Sequence, residues 1–150
     1  MKTILTVVLT LFVSCAYAQY TEDELASRVV NILKSGEYTK MAELLPSDEL
    51  LVGHVKAQGA ATGVQTDQMK GQLRALSAGL GKSAETLATT LGDLCGMETI
   101  NVQETKLMMR EGQTSGLMLI KISCKNSWRQ IPIAVSKTEE GLAFLGIAGK

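Results

Sequence analysis

The feature of this sequence that most constrains its fold is the alternation of apolar residues between positions 116 and 148. Three apolar runs lie there, at residues 117–124, 128–135 and 142–147, and short turn-like sequences separate them. Runs of this length with alternating side chains are typical of β-strands joined by hairpins. The segment therefore predicts three sequential antiparallel strands.

The first turn sets a register for the first two of these strands. If Asn126-Ser127 forms a two-residue turn, Lys125 pairs with Trp128, and every residue farther from the turn has a fixed partner. Three apolar pairs then fall on one face, as the period of two requires. They are Ile122 with Ile131, Ile120 with Ile133, and Met118 with Val135. We call this side of the sheet the core face.

The second turn extends the core face to the last strand. Glu139-Glu140-Gly141 places a glycine where a three-residue hairpin needs a left-handed residue. Two turns therefore predict the same buried surface. The resulting pairs are Ile133 with Ile147 and Val135 with Leu145.

The opposite side of these strands, which we call the second face, is less polar than the wet side of an antiparallel sheet usually is. Its apolar side chains are Leu117, Leu119, Trp128, Ala134, Leu142 and Phe144. A second layer of core or a dimer contact explains the pattern, and so does the wall of a ligand pocket. If it is a pocket wall, the candidate ligand-binding residues are Leu117, Leu119, Trp128 and Phe144.

The first residues of the chain have the pattern of an export signal. Lys2 supplies the charged end, residues 4–13 the apolar run, and Ala16-Tyr17-Ala18 the small residues before a cleavage site. We expect residues 1–18 to be removed and residues 19–150 to form one domain, in the periplasm or secreted. Cys15 suggests a lipoprotein, but the residues before it match a lipoprotein motif poorly, so we favour ordinary cleavage.

The charge balance argues against two classes of partner. The chain has 15 basic and 15 acidic residues, and the loss of Lys2 leaves 14 basic ones. A near-neutral chain without a basic run is atypical of proteins that bind nucleic acid or anionic membranes. The apolar run of the signal is too short for a stable membrane span, and no later run approaches that length.

Two cysteines follow the signal, Cys95 and Cys124. In an oxidising compartment an even pair favours one disulfide, and two buried free thiols are the alternative. The bond would close a loop of about 28 residues and stabilise the fold by roughly 3–4 kcal/mol. Two cysteines and the distant His54 are too few ligands for a metal, so we expect neither a metal nor a cofactor.

Helical patterns precede the strands. Thr21 and Glu24 are typical of a capping box at the start of a first helix, and a short second helix is predicted at residues 38–45. A longer helix follows, with a predicted break between Gly79 and Lys82 because glycine weakens helices. The apolar stripe of this longer helix is Met69, Leu73, Leu76, Leu80, Leu87, Leu91 and Leu94.

A further strand is predicted at residues 99–110, although its alternation changes phase. Ile100 and Val102 fall on one parity, whereas Leu107 and Met109 fall on the other. A bulge or a break between Gln103 and Lys106 reconciles them. The predicted fold class is therefore α+β, with N-terminal helices packed on a C-terminal antiparallel sheet of three to four strands.

His54 is the only histidine of the chain. A general base needs a positioned nucleophile or acid, and the sequence marks none. We interpret His54 as a residue at the edge of the core, beside Leu50 and Leu51 on a helix, and we name no catalytic residue.

Two short stretches and the order of the elements carry a resemblance to a known superfamily. Leu33-Lys34-Ser35-Gly36-Glu37-Tyr38 follows the opening helix, and residues 137–147 form a closing hairpin. Both are similar to segments of the nuclear-transport-factor-two-like and cystatin-like superfamily, in particular its small exported bacterial domains. The resemblance implies a curled sheet wrapped on a helix, often in a dimer, and no particular activity. This chain departs from the superfamily in its longer segment before the sheet and its few aromatic residues.

The sequence leaves three functions open. The first is a non-enzymatic exported binding or accessory domain that holds a small apolar ligand or a protein partner on the second face, with a homodimer as a further option. The second is an enzyme of the same superfamily with a site near His54. The third is an inhibitor or immunity-type protein that acts through its surface. We favour the first, because no catalytic set of residues is marked.

Overall fold

The computed structural model describes residues 20–47 and 63–149. The predicted signal with Cys15, and the predicted helical residues Leu50, Leu51 and His54, lie outside these ranges. The elements, in chain order, are helix α1 (Glu22–Ser35), a 3-10 helix (Tyr38–Leu44), helix α2 (Gly63–Cys95), a second 3-10 helix (Met97–Thr99), and strands β1 (Val102–Met108), β2 (Ser115–Cys124), β3 (Ser127–Thr138) and β4 (Gly141–Ile147).

The strands form one antiparallel sheet of four, in the order β1-β2-β3-β4. The core face of this sheet and the apolar sides of α1 and α2 bury one another in a common cluster. The fully buried side chains of β2 and β3 are Met118, Ile120, Ile122, Ile131, Ile133 and Val135, all of which were predicted to lie on this face. The predicted α+β fold class is therefore confirmed.

Helix α1 begins at the predicted capping box. The Thr21 hydroxyl accepts a hydrogen bond from the Glu24 N–H at 3.3 Å, and Glu24 Oε2 accepts one from the Thr21 N–H at 3.0 Å. Gly36 ends the helix in the left-handed conformation, with φ at 76°. The side chains that α1 buries are Leu25, Ala26, Val29, Val30, Ile32 and Leu33.

Helix α2 is continuous over Gly63–Cys95, so the predicted break between Gly79 and Lys82 is wrong. Each glycine weakens the helix by about 1 kcal/mol, and packing against the rest of the fold offsets this. At Gly81 the helix approaches the first 3-10 helix so closely that a Cβ there would lie 3.7 Å from Thr39 Cα. Among the α2 side chains that the structure describes, Leu80, Ala84, Ala88, Leu91 and Cys95 are buried, whereas Leu94 of the predicted stripe is 48% exposed.

The turn between β2 and β3 lies one residue earlier than predicted, which shifts the pairing of the two strands by two residues. Cys124 pairs with Ser127, so the turn is Lys125-Asn126, and Lys125 adopts a positive φ of 55°. A shift of two residues leaves every side chain on its predicted face, which is why apolar periodicity does not distinguish the two registers. The observed apolar pairs are Ile120 with Ile131 and Met118 with Ile133.

The turn between β3 and β4 has two residues, Glu139-Glu140, because Gly141 pairs with Thr138, so the predicted three-residue turn is wrong. A β-bulge farther along β4 then changes the pairing again. Ile133 pairs with Ile147 as predicted, but Val135 pairs with Phe144 and not with Leu145. Leu145 is the extra residue, and it reverses the facing of the residues before it on β4. The prediction that Phe144 lies on the second face is therefore wrong: it is fully buried on the core face. Leu142 is buried as well, and was also expected on the second face.

The predicted phase change in β1 is confirmed as a register shift between Val102 and Glu104. After the shift, Thr105 pairs with Ile120 and Leu107 pairs with Met118, so both face the helices. The Thr105 hydroxyl donates a hydrogen bond to Glu22 Oε2 on α1 at 3.2 Å. Because of the bulge at Gln103, the apolar residues of β1 face the core both before and after it, although their parity in the sequence changes.

The predicted disulfide between Cys95 and Cys124 is present, with a Cα–Cα distance of 4.5 Å. It joins the last residue of α2 to the last residue of β2. A second tie lies nearby, since Lys34 Nζ of α1 donates a hydrogen bond to the Ile100 carbonyl at 2.9 Å. The disulfide therefore fixes α2 to the end of β2, and the hydrogen bond fixes α1 to the segment that leads into the sheet.

Candidate functional site

The second face of the sheet carries a band of apolar side chains across three strands. Met108 of β1 pairs with Leu117 of β2, and Leu117 pairs with Ala134 of β3. One step along β2, Leu119 pairs with Pro132. Residues that are paired directly across an antiparallel sheet have neighbouring side chains on the same side, so these five form a continuous surface.

The second face carries three of the four exposed large hydrophobic side chains in the described part of the chain. Met108 is 49% exposed, Leu117 38% and Trp128 51%, and all three lie on β-strands of the second face. The fourth such side chain, Leu94, lies on α2 and belongs to another surface. Single exposed hydrophobic residues are ordinary, but a cluster of them on one face is typical of an interaction site.

A charged and aromatic group borders the band at the turn end of β2 and β3. Trp128 pairs with Ser123, and Lys121 Nζ lies 5.3 Å from the centre of the Trp128 ring. Lys121 also lies 3.7 Å from the Glu104 carboxylate. These groups hold the indole against the strand while leaving about half of it open to solvent.

The structure places three of the four predicted ligand-binding residues on the second face, with Trp128 roughly 20 Å along the strands from Leu117. Leu117 and Trp128 are exposed on the second face and Leu119 is half-buried there, whereas Phe144 lies in the core on the other side. The sequence interpretation missed Met108. The predicted phase change between Gln103 and Lys106 already puts Met108 on the second face, and the observed register places it opposite Leu117.

A groove lies along the side of α2. It has a volume of about 640 Å³ and is bounded by α2 on one side and by β3 and β4 on the other. An adjoining groove of about 550 Å³ shares Gly79, Ser83 and Ile147 with it. These sizes are within the usual range of ligand sites. The lining residues of the first groove are Ala75, Gly79, Leu80, Ser83, Ala134, Leu145, Gly146 and Ile147.

The β4 bulge gives this groove its shape. Leu145 is unpaired in the β3–β4 ladder, and its side chain lines the groove together with Ala134 of the second face. Gly146 adjoins it with φ at 152°, and a Cβ on Gly146 would lie 3.9 Å from a Leu80 methyl. The groove therefore lies on the α2 side of β4.

The ionisable groups with shifted pKa values lie away from the second face. The Thr21 backbone N–H lowers the pKa of Glu24 by hydrogen bonding to its carboxylate. The hydrogen bond from Lys40 to Glu37 raises the pKa of Lys40. Both pairs are local to the first helices and exposed, so they stabilise helix ends and do not mark a reactive centre.

Within residues 20–47 and 63–149, no group of three His, Cys, Asp or Glu side chains is placed to hold a metal ion. No helix in that part of the chain is long and apolar enough to cross a bilayer. His54 lies outside the described residues. The chemistry that the second face offers is thus the burial of apolar surface, with one aromatic ring and a neighbouring ammonium group at its border.

Comparison of the chain with protein-family models, with curated proteins and with solved structures finds no match. The resemblance to the nuclear-transport-factor-two-like and cystatin-like superfamily therefore stays a prediction.

Proposed function

We propose that this protein is an exported, non-enzymatic binding domain that holds an apolar partner on its second face. The observation that carries the proposal is the grouping of Met108, Leu117 and Trp128 on one side of the sheet, each more than a third exposed. Fully burying a large apolar side chain contributes about 1.5–3 kcal/mol, so covering the part of each that is still exposed contributes roughly 1 kcal/mol to association. Because these side chains remain partly exposed, folding alone does not gain the whole of this free energy.

The shape of the second face favours the surface of another protein as the main partner. The band across β1, β2 and β3 is open along its length, whereas small-molecule sites are concave. Methionine and tryptophan are both enriched in the cores of protein interfaces, the first because it adapts its shape and the second because it is large and rigid.

Export is part of the same proposal. The Cys95–Cys124 bond is formed, and disulfides persist mainly in oxidising compartments. This supports the interpretation of residues 1–18 as a signal and a location in the periplasm or outside the cell. The superfamily resemblance is a further part of the proposal, because its fold also places an open sheet face opposite a helix.

Native mass spectrometry of the protein purified from its own host tests the proposal. We expect the wild type to carry a bound polypeptide or a small apolar ligand, and the Leu117→Lys variant to lose it. Leu94→Lys is the matched control, because Leu94 is as exposed as Met108 but lies off the second face. It should retain the bound species.

Two results would count against the proposal. One is a bound species that survives Leu117→Lys and a second substitution, Met108→Lys. The other is a wild-type protein that carries nothing when isolated gently from its host. Circular dichroism of each variant separates loss of binding from loss of folding.

A further inference from the structure

The two edges of the sheet differ in what covers them. At the β4 edge, Tyr20 pairs with Leu142 through two backbone hydrogen bonds of 2.9 and 2.8 Å. The β1 edge pairs only with β2 in the part of the chain that the structure describes. An uncovered edge strand presents a row of backbone donors and acceptors that another strand can pair with.

The hydrogen-bonding direction of β2 shows which groups of β1 lie on that open edge. Cys124 and Ser127 close a two-residue turn, and the two residues that close such a turn form backbone hydrogen bonds with each other. Cys124 therefore bonds towards β3. The backbone N–H and C=O groups of successive residues in a strand point to opposite sides. Ser123 and every second residue before it therefore bond towards β1. The hydrogen bond of 2.9 Å from the Ser123 N–H to the Asn101 carbonyl agrees with this.

The same alternation continues along β1 beyond its bulge. Lys106 pairs with Leu119, which belongs to the set that bonds towards β1, so Lys106 bonds towards β2. Thr105 and Leu107, on either side of it, therefore direct their N–H and C=O groups away from the sheet. These are the groups that another strand would bond to.

The charges around Thr105 are self-complementary. Glu104 and Lys106 flank it, both on the second face and both exposed. If β1 of a second copy pairs antiparallel and centred on Thr105, Glu104 of each copy faces Lys106 of the other. Centring the pairing on Glu104 or on Lys106 would instead place like charges opposite each other, which is unfavourable.

We propose that two copies of this protein associate through their β1 edges, antiparallel and in register at Thr105. The contact is isologous, since the same strand serves both copies. It joins the two sheets into one of eight strands, four from each copy. The bulge at Gln103 limits the regular pairing to the part of β1 that follows it. This association does not depend on the proposed function, because it uses the edge of the sheet and not its apolar band.

Sedimentation equilibrium of the purified protein over a range of concentrations tests the association. We expect a monomer–dimer equilibrium for the wild type. Lys106→Glu places glutamates opposite each other at both symmetric positions, so we expect its dimer dissociation constant to rise about tenfold or more. Lys82→Glu, which makes the same charge change on the exposed side of α2, should leave the constant unchanged.

The double variant Glu104→Lys, Lys106→Glu restores opposite charges across the same register and should recover dimerisation to within about threefold of the wild type. Recovery by a charge swap cannot arise from a general effect on folding. A wild type that stays monomeric up to about 1 mM overturns the proposal. So does a folded Lys106→Glu variant with an unchanged constant, or a folded double variant that stays as weak as the single one.

Amide hydrogen exchange provides a second readout. In the dimer the Thr105 amide is bonded to the second copy, so its exchange should slow about tenfold between dilute and concentrated wild-type protein. The same amide in Lys106→Glu should show no such concentration dependence over that range. Equal exchange at both concentrations in a dimeric wild type would place the contact elsewhere and overturn the register.

Discussion

The two faces of the sheet are built from the same strands but differ in what they contribute. On β2, Met118 is fully buried on the core face, whereas its chain neighbour Leu117 is 38% exposed on the second face. Burying a large apolar side chain contributes about 1.5–3 kcal/mol, and on the core face that free energy stabilises the fold. On the second face much of the same free energy remains available to a partner. The core face therefore stabilises the fold, and the second face is the surface on which we propose that a partner binds.

The largest effect that tests this comparison is expected from truncating the two neighbours separately. Met118→Ala should lower the free energy of unfolding by about 2–5 kcal/mol, because it leaves a cavity. Leu117→Ala should lower it by less than about 1 kcal/mol. Urea denaturation of both variants measures the difference. Similar losses would mean that the second face is covered in the folded protein, and the comparison would fail.

The next largest effect concerns the covalent tie on the core side. Replacing Cys95 and Cys124 together with alanine should lower the free energy of unfolding by about 2–5 kcal/mol, because the unfolded chain regains loop entropy. Thermal unfolding with and without reductant measures it. Reductant should lower the melting temperature of the wild type and leave that of the double variant unchanged. A wild type that is insensitive to reductant when unfolded would contradict the role assigned to the bond.

The side on which each β2 and β3 residue lies could be predicted from the sequence, but the register between the strands could not. Alternation fixes parity, and a shift of two residues preserves parity, so the turn at Lys125-Asn126 has the same apolar pattern as one at Asn126-Ser127. Only the local conformation of the turn distinguishes them, and a lysine with positive φ has little sequence signature.

The errors at the candidate site have a common cause in the bulges. Leu117, Leu119 and Trp128 lie before any irregularity in their strands, and they were placed correctly. Phe144 was misplaced because one extra residue at Leu145 reverses the facing of the part of β4 before it. Gly146, a glycine inside a strand, was the available signal for that bulge.

A smaller effect is expected at the cap of α1, the helix that covers the core face. Thr21→Ala removes the hydroxyl that accepts the Glu24 N–H and should destabilise the protein by about 1 kcal/mol. Thr86→Ala is the matched control, because Thr86 lies inside α2 with its hydroxyl bonded to the Lys82 carbonyl. It should be neutral or slightly stabilising, since alanine is the better helix former.

The same cap predicts a pH dependence. The Thr21 backbone N–H lowers the pKa of Glu24 below its usual value of 4.5. A depressed carboxyl pKa stabilises the folded state above the unfolded pKa, and this stabilisation is lost as pH falls through the folded pKa. The wild type should therefore lose its advantage over Glu24→Gln as pH falls below about 4.5. A difference that is constant between pH 7 and pH 3 in thermal melts would contradict this origin.

The smallest effect lies on the second face itself, between Lys121 and Trp128. Because Trp128 is 51% exposed, the attraction between the ammonium group and the ring should be worth only about 0.5–1 kcal/mol. A double-mutant cycle with Lys121→Ala and Trp128→Ala isolates this coupling from the separate approach of Lys121 to Glu104. Added salt should weaken it, because exposed charges are screened. A coupling near 2 kcal/mol that resists salt would show instead that this corner is desolvated, and the second face would then resemble the core face more than a surface left open for a partner.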